Sequence, residues 1–263
     1  MTHETLQRST LETTHRERPV EVTQYSIGKI LAVWAAASLP MGALAWLVAP
    51  RLATIIDGPY PMPQALLLLL TAGLVWQFVL VVWLVWREQG TLKWRVVRQA
   101  LWLRSPRSPR TGRIGGRVWL VLIPLSLLFY AEQFIPGFTP AAGRDFGELL
   151  SSPAGASFFQ NAWGWYGVCM VLWIFNTVLG EELLFRGLLL PRMNGAFGKA
   201  DWLVNGILFA AYHVHMPWAM PTILADALTL AYPTKRYQSA WIGIAVHSTQ
   251  SVFLAVMVLT LVV

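Results

Sequence analysis

Long apolar runs separated by short polar stretches dominate the chain after its first 26 residues. A bilayer core requires about 20 apolar residues for each helical span. Seven such runs cover residues 27–49, 64–86, 118–135, 162–190, 202–216, 218–232 and 239–262. The pattern therefore predicts an all-α, polytopic transmembrane helical bundle of about seven spans, or eight if the long fourth run breaks near Gly180.

The composition agrees with a membrane protein and excludes several other classes. Hydrophobic residues make up 56% of the 263 residues, charged residues only 13%, and the mean hydropathy is +0.51. A soluble globular domain has about 25% charged residues, so this chain lies outside that range. Because Cys169 is the single cysteine, a disulfide, a multi-thiolate metal site and an iron–sulfur cluster are all excluded within one chain.

Positive charge is concentrated between two of the apolar runs. The net charge is +7, and between positions 87 and 117 nine basic residues face one acidic residue. The basic residues are Arg87, Lys93, Arg95, Arg98, Arg104, Arg107, Arg110, Arg113 and Arg117. The positive-inside rule places such a loop in the cytoplasm, beside anionic headgroups. The charge therefore indicates membrane topology, and the lipid bilayer rather than nucleic acid is the expected partner.

The same rule orients the rest of the chain. With the 87–117 loop inside, the N-terminus is cytoplasmic, the basic loops 191–201 and 233–238 also lie inside, and Val263 lies outside. Three regions follow from the pattern. They are a polar N-terminal tail over 1–26, an N-terminal transmembrane region over 27–161 that contains the basic loop, and a core over 162–263.

A charged motif, Glu181-Glu182-x-x-x-Arg186, lies inside the fourth apolar run. Charges at membrane depth are costly, so their first interpretation is functional. Residues four apart share a helix face, so Glu182 can pair with Arg186 while Glu181 points elsewhere and remains free. A free carboxyl in a low-dielectric site can act as a general base or acid. The alternative is that the motif is the cytoplasmic end of a span, with its charges among the headgroups.

Two later runs each carry a histidine. His213 follows Phe209 by four residues, so the two rings are predicted to share one helix face. His215 is predicted to point about 200° away from His213, too far to share a metal with it. His247 has Ser251 four residues later, and a face with an imidazole and a hydroxyl could stabilise an oxyanion. Each histidine could instead be only a hydrogen-bond partner between helices.

Two neighbouring residues bear on the same region. Gly243 precedes His247 by four residues and would let another helix approach closely. Asp226, in the short sixth run, is expected to be a partner for a neighbouring helix. No His-Glu-x-x-His sequence occurs, which removes the strongest sequence evidence for a zinc protease.

The elements Glu-Glu-x-x-x-Arg, Phe-x-x-x-His and a final His-x-x-x-polar follow one another over roughly residues 160–260. In this order they resemble the CPBP family, which includes the type II CAAX prenyl proteases and bacteriocin-processing and immunity proteins. The resemblance implies an intramembrane endopeptidase in which Glu181 with His213 activates water, while His247 with residue 251 forms the oxyanion site. The family usually has Asn at position 251. The supporting residues in this interpretation are Glu182, Arg186, Phe209 and Ser251.

We therefore expect a hydrolase of a prokaryotic cell membrane that cleaves a membrane-associated protein or peptide at a water-filled site open to the cytoplasmic side. No cofactor is expected. In the alternative, Glu181, His213 and His247 hold zinc with one open position. Two other classes of protein stay open at this point. One is a non-catalytic immunity or scaffold protein, and the other is a proton-coupled transporter, since Glu and His relays also carry protons.

Overall fold

A computed structural model describes residues 22–58 and 60–263, so most of the polar tail predicted over 1–26 lies outside the described residues. Within those residues the chain forms helices and loops without a strand, which confirms the all-α fold. In chain order the helices are α1 (Ile27–Ala53), α2 (Pro61–Gln89), α3 (Trp94–Ala100), α4 (Gly116–Ala131), α5 (Phe146–Leu150), α6 (Pro153–Phe159), α7 (Trp163–Arg192), α8 (Asn194–Phe197), α9 (Asp201–Tyr212), α10 (Met220–Ile223), α11 (Tyr232–Tyr237) and α12 (Ala240–Val262).

Four of these helices, α1, α2, α7 and α12, are long and apolar enough to cross a membrane. The third predicted run forms α4, a shorter apolar helix. The fifth and sixth runs form a helical hairpin in which α9 leads to a turn at residues 213–219, and α10 and α11 return. The fourth run continues through Gly180 as one helix, because π-helical turns there absorb the irregularity without a break.

The basic loops gather at one end of the bundle, which we name the basic end. There Arg192 Nη2, at the end of α7, lies 2.9 Å from a carboxylate oxygen of Glu88, at the end of α2. The Tyr25 hydroxyl, just before α1, also donates to Glu88. Burial, reinforced by that bond, raises the pKa of Tyr25 well above its ordinary value. Arg104 in the 87–117 loop donates to the Gln238 carbonyl at 2.8 Å. The three loops predicted to share one side of the membrane therefore lie together.

The other end of the bundle, which we name the opposite end, is formed by the loop over 135–162 and the hairpin turn. The Phe138 N–H donates to the Trp218 carbonyl, and Trp218 Nε1 donates to Asp145 at 3.0 Å. The Asn161 N–H donates to the Val262 carbonyl at the end of α12. These bonds attach the loop that contains α5 and α6 to the helices that carry the predicted site.

A close approach of α7 to α2 helps to place the charged motif inside the helical bundle. A Cβ atom on Gly180 would lie 2.6 Å from the Phe175 carbonyl and 3.1 Å from the Leu74 carbonyl. Only glycine avoids these contacts, and it lets the two backbones meet. The helix continues from this point into Glu181, so the motif is placed inside the bundle, against its main apolar core.

Candidate active site

Both carboxylates of the charged motif are buried at the centre of α7. Glu181 and Glu182 lie between two π-helical segments, Phe175–Gly180 and Leu183–Leu189. Glu181 is only 2% exposed, and Glu182 and Arg186 are fully buried. π-Helical turns within an α-helix occur frequently at functional sites. The motif is therefore enclosed by the helices of the bundle, and its position does not support the interpretation that it is a span end among the headgroups.

The pair between Glu182 and Arg186 forms as predicted. Arg186 Nη1 lies 3.3 Å from Glu182 Oε1, and the guanidinium stacks over the Phe209 ring at 3.9 Å from its centroid. Gly243 on α12 packs directly on this pair, since a Cβ atom there would lie 2.5 Å from Glu182 Oε2. The close helix approach predicted at Gly243 is thus present. This packing keeps water away from the ion pair of Glu182 and Arg186.

The same carboxylate also binds the last histidine. Nδ1 of His247 lies 3.1 Å from Glu182 Oε1. An ionised carboxylate only accepts hydrogen bonds, so this contact assigns the proton to Nδ1. The other ring nitrogen, Nε2, is then left for the cavity that His247 lines. Glu182 therefore orients His247 and neutralises Arg186 at once.

Glu181 is held by residues that the motif analysis missed. With its amide nitrogen turned toward Glu181, Asn176 donates to Oε1 and Oε2 at 2.8 and 3.0 Å. The Tyr212 hydroxyl lies near Glu181, and it accepts a bond of 2.7 Å from Gln77 Nε2. All of these partners are polar side chains within apolar runs, which is the one signal in the sequence that could have pointed to them. Together they fix the orientation of the free carboxyl.

His213 faces Glu181 from the end of α9. Its Nδ1 lies 2.8 Å from the Phe209 carbonyl, which can only accept, so Nδ1 carries the proton. Its Nε2 lies 4.0 Å from Glu181 Oε1. The predicted shared face of Phe209 and His213 is present, with ring centroids 4.9 Å apart. An acceptor nitrogen and a carboxylate thus face each other across a short gap.

The predicted separation of His213 and His215 is wrong. The helix ends at Tyr212, so both histidines lie in the turn that follows, and their ring centroids are 5.2 Å apart. Both line the same cavity, and Nδ1 of His215 is buried without a hydrogen-bond partner. The prediction assumed a helix that continues past His213, whereas His213 is the residue that caps its end.

These groups line one cavity of about 500 Å³. Its polar lining includes Asn176, Glu181, His213, His215, His247, Gln250, Glu132 and Asp226, and apolar side chains from several helices, chiefly α2 and α7, line much of the rest. The cavity reaches Gly143, Arg144 and Asp145 in the loop at the opposite end. The expectation that the site opens toward the side of the basic loop is therefore wrong for this cavity. At the basic end, the Tyr25, Glu88 and Arg192 cluster joins the helix ends.

A second carboxyl pair lies in the cavity wall. Glu132, which follows α4, and Asp226 both line the cavity, so Asp226 has an acidic neighbour from another helical segment, in agreement with the role that the sequence predicted for it. Glu132 was not among the candidate residues, although it is a charge at the end of an apolar run.

Ser251 does not face the cavity. Its hydroxyl donates to Thr177 Oγ1 of α7 at 3.2 Å, and Ser248 donates to the same oxygen at 3.3 Å. Gln250, three residues after His247, lines the cavity instead. The position that the family resemblance assigned to the oxyanion site is thus turned toward a helix contact in this chain.

The alternative zinc ligands are spread apart. Among the described residues, no three His, Cys, Asp or Glu side chains are grouped so that they could hold a metal ion. Ligands of a tetrahedral zinc at about 2.0–2.1 Å from the metal lie roughly 3.3 Å from each other. Glu181 and His213 are 4.0 Å apart, and His247 contacts Glu182 rather than Glu181.

A comparison with known protein families supports the family resemblance of the three motifs. Residues 162–253 match the family model described as type II CAAX prenyl endopeptidase Rce1-like. No curated protein and no solved structure matches the chain. The matched segment runs from the start of α7 to the middle of α12, and it contains Glu181, His213 and His247. Over these residues the match supports the resemblance to the CAAX protease family that the three motifs carry.

Proposed function

We propose that this protein is an intramembrane endopeptidase that hydrolyses a peptide bond of a membrane-associated protein or peptide, with water activated by Glu181 and His213. One observation carries the proposal. A buried carboxylate lies 4.0 Å from an imidazole nitrogen in the wall of a cavity of about 500 Å³, within the segment that matches an endopeptidase family.

The gap between Glu181 and His213 suits a water molecule. A direct hydrogen bond needs about 2.7–3.2 Å between heavy atoms, and 4.0 Å exceeds this range. A water about 2.8 Å from both atoms would donate one proton to Glu181 Oε1 and the other to His213 Nε2. Its remaining lone pairs would then point away from both acceptors, where they can attack a carbonyl carbon.

The reaction moves one proton through Glu181. As the water oxygen bonds to the peptide carbon, Glu181 takes a proton and the carbonyl oxygen becomes an oxyanion. When the C–N bond breaks, the same proton passes to the leaving nitrogen, which gives a carboxylic acid and an amine. Asn176, which donates to both oxygens of Glu181, keeps the carboxylate in one orientation through both transfers. His213, held by the Phe209 carbonyl, positions the water.

His247 and Gln250 are the oxyanion donors in this proposal. Nε2 of His247 becomes a donor when the ring is protonated, and the Glu182 carboxylate at Nδ1 stabilises that imidazolium. The Gln250 amide lines the same cavity and donates without a change of charge. Ser251 then has a supporting role, since its bond to Thr177 joins α12 to α7.

No metal and no other cofactor is required by this scheme. Every step uses a group of the chain itself, with Glu181 as the base and acid and His247 as an electrostatic donor. Zinc held by Glu181, His213 and His247 is the competing scheme. In that scheme the zinc ion would make its bound water more acidic. Glu181 would then be a metal ligand and would not be free to carry the proton.

The proposed topology has seven spans and a cytoplasmic N-terminus. The gathering of the basic loops at one end supports it, because the positive-inside rule places that end in the cytoplasm. The cavity then extends toward the non-cytoplasmic half of the bilayer, as far as Arg144 and Asp145. A substrate segment buried in the membrane could reach it from that half.

The test is proteolysis by the purified protein in detergent, with a peptide library and mass-spectrometric detection of the products. We expect cleavage by the wild type and none by Glu181→Ala. Equal cleavage by the two proteins would refute the assignment of Glu181. The alternatives of an immunity or scaffold protein and of a transporter predict no peptide products from either protein, and neither draws support from the family match.

A further inference from the structure

A second pocket lies at the basic end, apart from the candidate active site. It has a volume of about 580 Å³, and the loop from Ser108 to Arg117 forms one side of it. The first turns of α4, with Val118 and Val121, form another side, and Tyr237 completes it. It shares no lining residue with the active-site cavity. Its chemistry is therefore independent of the proposed hydrolysis.

The loop around this pocket has a defined backbone. Arg107 forms an isolated β-bridge with Ile114, and the Ser108 N–H donates to the Arg113 carbonyl at 2.8 Å. Gly112 makes the turn between them with a φ of +70°, a conformation that favours glycine. These bonds hold the backbone of Arg113 in the loop that leads into α4. The pocket is thus lined by a loop whose backbone is held by its own hydrogen bonds.

The polar groups of the pocket suit a phosphate. Arg113 and Arg117 line it, together with the hydroxyl-bearing residues Ser108, Thr111 and Tyr237. No carboxylate is among the residues that line it. A guanidinium offers a planar fork of N–H donors that matches phosphate oxygens in a bidentate manner. Two such forks with neutral donors between them would neutralise and bind a phosphate ester.

The surface beside the pocket is apolar and unpacked. Leu120, Ile123 and Leu127 on α4 are 60%, 61% and 69% exposed, and they extend along the helix from the position of Arg117. In a membrane-embedded helix such a row faces acyl chains. Val121 lines the pocket itself. A phosphate bound between the arginines would therefore carry its hydrocarbon chains directly onto this row.

We propose that the pocket lined by Arg113 and Arg117 binds the phosphate of an anionic phospholipid headgroup, with the acyl chains lying along the exposed row of α4. Basic pockets beside transmembrane helices on the cytoplasmic side are a known mode of headgroup recognition. The lipid ties the 87–117 loop to the bilayer at a defined point, next to the helix that precedes Glu132.

The experiment measures lipid binding to the full-length protein in mild detergent by native mass spectrometry, with phosphatidylglycerol and phosphatidylcholine as probes. We expect the wild type to retain phosphatidylglycerol in preference to phosphatidylcholine. The variant Arg113→Gln/Arg117→Gln is expected to lose affinity for phosphatidylglycerol on the order of 10-fold or more, since each arginine near the surface contributes to anionic lipid binding. Its retention of phosphatidylcholine is expected to be unchanged.

The matched control removes two charges from the same loop outside the pocket. Arg107→Gln/Arg110→Gln changes exposed side chains that do not line it, and it is expected to keep the preference. An equal loss in this control would show diffuse attraction by the loop and overturn the proposal, as would full retention of phosphatidylglycerol by the pocket variant.

A third arm adds inorganic phosphate, and displacement of the lipid by millimolar phosphate would identify a free-phosphate site instead. All side chains changed are exposed, and each single variant is measured alongside the pairs.

Discussion

Nδ1 of His247 lies 3.1 Å from Oε1 of Glu182, the same oxygen that Arg186 approaches to 3.3 Å. One buried carboxylate therefore connects two of the three motifs, while the adjacent Glu181 faces the cavity and His213. Two neighbouring residues of the same type thus have different environments. This difference leads to opposite expectations for their substitution.

Glu181→Gln is expected to abolish proteolysis with little change in melting temperature. The amide keeps the shape of the side chain but loses the base, and loss of a general base typically costs about 10²- to 10⁴-fold in rate. Glu182→Gln is expected to lower both activity and stability. It leaves the buried Arg186 guanidinium without a carboxylate, and breaking a buried pair costs about 3–5 kcal/mol.

The measurement compares initial rates and melting temperatures of the two variants in the same detergent. The two single substitutions are matched controls for each other, because each changes one carboxylate to an amide in adjacent positions. Equal melting temperatures, with activity lost only in Glu182→Gln, would reverse the assignment of the two roles.

The oxyanion donors can be separated by substitutions on α12. Gln250→Ala is expected to lower kcat on the order of 10²-fold, since the loss of one oxyanion donor typically costs about 10² to 10³. Ser251→Ala is expected to change kcat only a few-fold, because its hydroxyl bonds to Thr177 and not to the cavity. KM should change little in either variant. A large loss in kcat for Ser251→Ala, with Gln250→Ala near wild type, would return the role to Ser251.

Gly243→Ala tests the packing of α12 on the charge pair. The added Cβ would lie 2.5 Å from Glu182 Oε2 and 3.0 Å from Thr234 Oγ1, so the carboxylate must move. Overpacking of this kind costs about 1–3 kcal/mol, and the shift would also displace His247. We expect a lower melting temperature and a lower kcat. The control is Gly167→Ala on α7, where a Cβ meets nothing within 4 Å. It should be neutral or stabilising, because alanine is the better helix former.

Helical spacing was sufficient to predict contacts within a single helix. Glu182 and Arg186 are four residues apart and pair within α7, and Phe209 and His213 keep the same spacing at the end of α9, as the period of 3.6 residues requires. Spacing alone does not state which neighbouring helix lies opposite. The contact between His247 and Glu182 joins residues 65 apart in the chain, so it depends on tertiary packing.

The parts that the sequence did not predict share this physical reason. Asn176 donates to Glu181, and Gln77 donates to Tyr212 beside it, yet these polar residues lie on three different segments within apolar runs. His215 was misplaced because the end of a helix, rather than its period, decides where it points. The direction of the cavity depends on how loops close the two ends of the bundle, which hydrophobic patterning does not report.

The topology is tested with reporter fusions. A reporter active only in the cytoplasm is expected to work after Arg110 and after Arg236, which lie at the basic end, and to fail after Pro140 and after Val263. The fusion after Pro140 is the informative control, because its loop lines the far end of the cavity. Activity after Val263 would contradict the count of seven spans. Activity after Pro140 with none after Arg110 would invert the bundle and place the cavity mouth in the cytoplasm.

Metal dependence separates the two hydrolytic schemes. If Glu181 and His213 act on an unligated water, a chelator should leave the rate unchanged, and metal analysis of active protein should find much less than one equivalent. In the zinc scheme, Glu181→Gln, His213→Ala and His247→Ala should each remove both metal and activity.

In the metal-free scheme, His247→Ala should cost about 10² to 10³ in kcat while the residual activity stays resistant to chelation. The wider spacing of Glu181 and His213 and the bond between His247 and Glu182 favour the second result. Zinc at one equivalent that leaves and returns together with activity would refute the metal-free mechanism.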